Sequence, residues 1–134
     1  MKNVMDLLLQ MDESKLTKPT RDVEITRLSD MVGEKVVFTC ESVSIDKYAE
    51  IRENATHKKG ETEEVDFIDL QVFLILEGVR APNLKSEELR SKYKAATPKE
   101  LAKKMLLPGE IKALYETIGD LSGFRETAVQ EIKN

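Results

Sequence analysis

Apolar residues at Val4, Leu7, Leu8 and Met11 fall at i, i+3, i+4 and i+7, and so predict a short amphipathic helix at the start of the chain. Residues 15–21 are polar, contain Pro19 and read as a linker. The period then shortens to two. Val23-Glu24-Ile25-Thr26 alternates as a half-buried strand does. The run Val36-Val37-Phe38-Thr39-Cys40, β-branched and aromatic, predicts a stronger strand with Val36, Phe38 and Cys40 on one side. Residues 28–32 fit one helical turn closed by Gly33, so the two strands are near enough to pair antiparallel. A lone hairpin is marginal in water, so helices must pack on it.

From Ser44 the period is helical. Ile45, Tyr48, Ala49 and Ile51 predict the buried face, with Ser44 as N-cap and Asp46 placed for the helix dipole. Residues 54–60 are polar and read as an exposed loop. The most hydrophobic window is 65–76, and its length favours a buried helix over a buried strand. Glu63, Glu64 and Asp66 read as its first-turn acids, and Gly78 as its stop, with Val79 folding back on the last turn. Ser86 opens a further short helix. Thr97-Pro98-Lys99-Glu100 is a capping box with proline at the first helical position. Leu101, Ala102, Met105 and Leu106 give that helix a buried face. Pro108 ends it and opens another, in which Ile111, Leu114, Tyr115, Ile118 and Leu121 keep strict helical spacing. Phe124, Ala128, Val129 and Ile132 predict a last short helix. The expected fold is α+β and mainly α-helical, with one short antiparallel β-hairpin at about 23–42 packed against a bundle of four to six helices. Residues 1–134 are expected to form one domain, with an N-terminal helix or arm at 1–14, the hairpin at 22–43 and the helical region at 44–134.

Composition refines this picture. The chain has 134 residues, 40% of them hydrophobic and none of them Trp, which suits one aliphatic core under a charged surface. The net charge of −4 argues against a general nucleic-acid binder, which needs a basic footprint. Charge is nevertheless segregated. Residues 61–77 hold Glu61, Glu63, Glu64, Asp66, Asp69 and Glu77 without a base, and residues 90–104 hold six bases against Glu100 alone. Such runs are either solvated helix faces or opposite patches that meet, within one molecule or between copies. The basic run is also the one basis for a DNA-binding reading. Cys40 is the single cysteine, so no internal disulfide can form. Asp6 interrupts the N-terminal apolar run and no cleavage site follows it, and no segment approaches the ~20 apolar residues of a membrane span. A cytoplasmic protein without a membrane partner is expected.

Little in the chain points to catalysis. His57 is the only histidine and reads as a solvated loop residue, with no second histidine or nearby cysteine to complete a zinc site. Cys40 reads as core packing. The acids do not have EF-hand spacing, and no glycine-rich phosphate loop occurs. No catalytic residue, metal, cofactor or small-molecule substrate is therefore expected, and the protein does not read as an enzyme. Two apolar groups are candidates for partner binding. Met105, Leu106, Leu107 and Pro108 either seal a corner between packed helices or line a groove that takes an amphipathic helix. Leu7 and Leu8, with Val4 and Met11, either dock on the core or form an arm that reaches another copy.

Several segments carry a family resemblance through their order and spacing. They are Val23-Glu24-Ile25-Thr26-Arg27-Leu28-Ser29 with Gly33, Gly78-Val79-Arg80-Ala81-Pro82-Asn83-Leu84 with Tyr93, Thr97-Pro98-Lys99-Glu100-Leu101, Leu107-Pro108-Gly109-Glu110-Ile111, and Leu121-Ser122-Gly123-Phe124. Together they resemble the XkdN-like phage tail assembly chaperones of phages and prophages of Gram-positive bacteria. The segment 57–64 has no counterpart and reads as a variable loop. The resemblance implies a non-enzymatic helper that binds the tape measure protein, keeps it soluble, helps recruit tail tube subunits and is absent from the mature tail. It supplies no catalytic residues. It also leaves open self-association, a longer frameshifted product, and the alternative of a structural or regulatory phage protein retained in the particle.

Overall fold

A computed structural model describes residues 3–133; the first two residues of the expected 1–14 arm and Asn134 lie outside the described residues. Helix α1 (Val4–Gln10) is capped by Asn3, whose Oδ1 accepts from the Asp6 N–H at 2.9 Å. A 3-10 turn at Glu13–Lys15 precedes the segment read as linker and overlaps it only at Lys15. Strand β1 (Thr20–Glu24) begins earlier than its alternation predicts and stops before Ile25. Ile25 and Thr26, expected in the strand, instead cap and open α2 (Thr26–Val32). Gly33 closes α2 in the left-handed region at φ +81°, which glycine adopts without steric cost.

Strand β2 (Val37–Glu41) pairs antiparallel with β1, from Thr20 opposite Glu41 to Glu24 opposite Val37. Phe38 and Cys40 point inward and are fully buried. Helix α3 (Ile45–Asn54) starts at Ser44, whose hydroxyl accepts from the Lys47 N–H at 3.3 Å. Its buried face is Tyr48, Ile51 and Ala55; Ile45 and Ala49, expected on that face, point outward. Strands β3 (Thr56–Lys59) and β4 (Thr62–Val65) form a second hairpin where a loop and the first turn of a helix were expected. Opposite charges face each other across it: Lys58 stands opposite Glu63, and Lys59 Nζ lies 3.4 Å from Glu64, while His57 stands opposite Glu64. Such cross-strand pairs stabilise a hairpin that has almost no apolar residues. Gly60, at φ +65°, makes its tight turn.

Helix α4 (Phe67–Gly78) is the predicted central helix, with Asp66 as N-cap rather than a first-turn acid. Leu70, Val72, Leu74 and Ile75 are buried, and the helix packs on α3 and on two later helices, α6 (Pro98–Met105) and α7 (Pro108–Leu121). Strand β5 (Val79–Ala81) continues directly from α4 and pairs with the free edge of β2, so the first sheet is three-stranded in the order β1-β2-β5. Val79 therefore extends into a strand instead of folding back. Helix α5 (Glu87–Lys92) follows, capped by Ser86. At α6 the Thr97 hydroxyl accepts from the Glu100 N–H, and the Glu100 carboxylate reaches the N–H of Ala96, one residue beyond the expected one. Ile111, Leu114 and Ile118 of α7 are buried as their spacing predicts.

The expected last helix does not form. Val129 and Ile132 are exposed, and residues 124–133 form only turns, bends and irregular chain. A short helix without a surface to bury its apolar face is not stable in water. Phe124 instead stacks at 5.1 Å on the ring of Tyr48. Among the described residues the chain is thus α+β and about half helical, with seven α-helices and two small antiparallel sheets in place of one hairpin. One apolar cluster joins Phe38 and Cys40 of β2 to α4 and α7. No helix among the described residues is long and apolar enough to cross a membrane.

Candidate functional site

The corner between α6 and α7 divides the four candidate residues at 105–108. Leu106 is 4% exposed and belongs to the core, and Met105 is half-buried against it. Leu107 is 51% exposed, and Pro108 is exposed beside it. The corner therefore both seals the core and presents apolar surface. Met105 lines one depression together with Leu28, Met31, Val32 and Tyr93, rimmed by Arg27 and Lys104. Leu106 and Pro108 line another with Ile68, Gln71 and Ile111, rimmed by Lys103.

Arg27 holds this corner rigid, and no spacing in the sequence marks it for the task. Its Nε and one terminal nitrogen each donate to a different oxygen of Glu110 at 2.9 Å, and that nitrogen also donates to the Met105 carbonyl at 2.7 Å. Glu110 in turn accepts from the Leu107 N–H at 2.7 Å. The hydrogen bonds from Arg27 outweigh the effect of burial and keep the Glu110 carboxyl below its ordinary pKa. Such two-pronged guanidinium–carboxylate contacts fix geometry as well as charge.

The segregated charges meet at Asp69, within one molecule. Asp69 is 5% exposed. It accepts from Lys99 Nζ at 2.8 Å and contacts His57 Nε2 at 3.0 Å, with Lys103 Nζ 4.0 Å away. Burial alone would raise its pKa. The hydrogen bonds from Lys99 and His57 and the charges of Lys99 and Lys103 more than offset this, so the carboxyl sits below its ordinary value. His57 is therefore not a free loop residue: it ties the β3–β4 hairpin to α4, and Lys99 ties α6 to the same atom group. The sequence signal was present as two opposite charge runs, but not the partner of each residue. His57, Asp66 and Asp69 bring ligand atoms within 4.8 Å of one another. The Asp66 carboxylate already caps α4, and two ammonium groups beside Asp69 oppose a bound cation. These contacts make the group a structural clasp between the β3–β4 hairpin, α4 and α6. Cys40, with no exposed surface, is held as a thiol because burial pushes its pKa up to about 11.

The other two candidates lie on α1. Leu7 and Leu8 are 54% and 56% exposed, and no residue of α1 is buried. Of the two alternatives for this helix, docking on its own core is not what forms.

Residues 5–133 match the family model of the phage XkdN-like tail assembly chaperone protein. Two proteins of Bacillus subtilis (strain 168) are similar to the chain. XkdN of the phage-like element PBSX is 28% identical over 142 aligned residues, covering 98% of this chain and 96% of XkdN. YqbN is 30% identical over 104 residues, covering 73% of this chain and 70% of YqbN. A crystal structure of YqbN matches this fold with a TM-score of 0.71 at 26% identity, over 92% of this chain and 100% of that one.

Proposed function

Because the chain belongs to the phage XkdN-like family of tail assembly chaperones, we propose that it binds the tape measure protein, keeps it soluble and helps bring tail tube subunits to it. The family match over nearly the whole chain carries this reading. The α6–α7 corner supplies a surface of the right chemistry. Met31 and Met105 offer flexible, unbranched apolar side chains beside Arg27 and Lys104, and Leu107 adds exposed apolar surface at the turn into α7. Such a surface can accept the apolar stripe of many different helical turns along a long client. A small interface of this kind gives modest affinity, which suits a helper that must let go as the tube closes. The work would take place in the host cytoplasm, with the chaperone left out of the finished tail.

Co-expression with the tape measure protein of the same phage tests this. The expected outcome is a soluble tape measure protein that co-purifies with the chain. Met31→Glu and Leu107→Glu, both at exposed positions, should lower that recovery by about tenfold, the effect of losing roughly 1.4 kcal/mol of binding. A tape measure protein that stays insoluble with nothing co-purifying would leave the family and remove the mechanism.

A further inference from the structure

We infer that Arg27 is a positioning residue: it latches α2 against the α6–α7 corner, so that Met31 and Met105 are held as two walls of one depression. Its consequence for a helical client rests on the function proposed above. One guanidinium reaches both walls. Nε and Nη2 donate to the two Glu110 oxygens, and Nη2 donates also to the Met105 carbonyl. The remaining nitrogen, Nη1, lies 3.5 Å from the Met31 sulfur, a weak acceptor. Both methionines that line the depression are thus tied to the same side chain.

Helix α2 has little else to set its angle. Its seven residues are well below the roughly 12–15 at which a helix holds on its own in water. Its N-cap Ile25 makes no side-chain cap hydrogen bond, and Ser29 is its one buried residue. The Ile25 N–H donates to the Val36 carbonyl at 3.0 Å, and the Val36 N–H to the Ser29 hydroxyl at 2.8 Å. These bonds close residues 25–36 on themselves. Pairing of β1 with β2 fixes both ends of the excursion, which leaves the helix free to tilt between them. Leu28 packs half-buried on the core, while Met31 is 69% and Val32 64% exposed. Among the described residues, the polar contacts from α2 to a later helix all come from Arg27.

The facing wall is firm. Leu101, Ala102 and Leu106 root α6 in the protein interior, and Lys104 Nζ donates to the Tyr93 carbonyl at 2.7 Å, tying the end of α5 to it. Glu110 is itself anchored on the Leu107 N–H. Arg27 therefore joins a lightly held wall to a fixed one. The task needs the planar fork of a guanidinium, which supplies several donors in set directions; a lysine ammonium keeps the charge without the fork.

Hydrogen exchange on the purified full-length chain, read peptide by peptide without any client, tests the latch. Arg27→Ala should speed exchange across residues 26–32 by about tenfold or more, with the rates of α4 and α7 unchanged. Arg27→Lys should leave most of that acceleration in place. Unchanged exchange at 26–32, an equal rise in α4 and α7, or full recovery in Arg27→Lys would each overturn the inference. Co-expression then tests the consequence. Arg27→Lys leaves Met31, Met105 and Leu107 in place, yet should lower recovery of the tape measure protein towards that of Met31→Glu. If Met31→Glu loses the client and Arg27→Lys does not, the positioning role is overturned and the proposed function stands. If wild type itself binds no client, the proposed function fails, and the exchange rates still decide the latch.

Discussion

Asp69 is where burial and charge are most finely balanced in this chain. Its carboxylate is almost without solvent, and Lys99 and His57 together keep it ionised. Asp69→Asn keeps the volume but removes the charge that the Lys99 ammonium faces. Because Lys99 itself remains about one-third exposed, water screens part of the loss. We expect a destabilisation of about 1–2 kcal/mol, read as a lower urea midpoint at neutral pH. The pH dependence follows from the same groups. Asp69 and Glu110 both titrate lower in the folded chain than their ordinary values. Their contribution is therefore present above the unfolded carboxylate pKa, roughly pH 4, and is lost as pH falls through the folded values. The wild-type urea midpoint should hold steady down to about pH 5 and drop below about pH 4. In Asp69→Asn that acid-side drop should be shallower.

Helices α4 and α7 meet so closely that one position between them has no room for a side chain. A Cβ built on Gly78 would come within 2.6 Å of two atoms of Ile118, whose side chain is itself fully buried. Gly78→Ala is thus expected to cost about 1–3 kcal/mol through overpacking. Gly109, in the first turn of α7, meets nothing within 4 Å, and Gly109→Ala should be neutral or gain up to about 1 kcal/mol of helix propensity. Thermal melts of the two variants side by side check this: opposite signs separate a packing glycine from a helix-breaking one. The β3–β4 hairpin follows a different rule, since its strands are held by facing charges and by the His57 contact to Asp69.

The molecule as a whole presents two apolar regions that differ in what they do for the fold. Leu106 lies under the corner, whereas no residue of α1 is buried. Leu106→Glu would bury a charge without a partner, and the loss should exceed about 3 kcal/mol, enough to leave the chain largely unfolded by circular dichroism. Leu8→Glu in dilute solution should leave the melting curve where it was, within about 0.5 kcal/mol. Equal losses for both would mean that α1 packs on its own body. The contrast also bears on partner mapping: only Leu107 and Met31, not Leu106, can be changed at the corner without confounding binding with folding.

Much of this architecture was legible from spacing alone. The capped helices at Ser44, Ser86 and Thr97, the strand through Phe38 and Cys40, the central helix and the regular stripe from Ile111 to Leu121 all rest on local rules. A cap, a period or a β-branched run acts over a few neighbouring residues, so the chain carries it without reference to the rest. The α+β class and the family follow from the same local segments and their order. The β3–β4 hairpin, the third strand at Val79–Ala81 and the outward turn of Ile45 did not show. Nor did the tie between Arg27 and Glu110, 83 positions apart, or the meeting of His57, Asp69 and Lys99. In each of these a residue's role depends on a partner distant in the chain, and no period or cap records which distant residue that is. The helix predicted after Phe124 failed for the converse reason: its apolar spacing was real, but no surface in the fold came near enough to bury it.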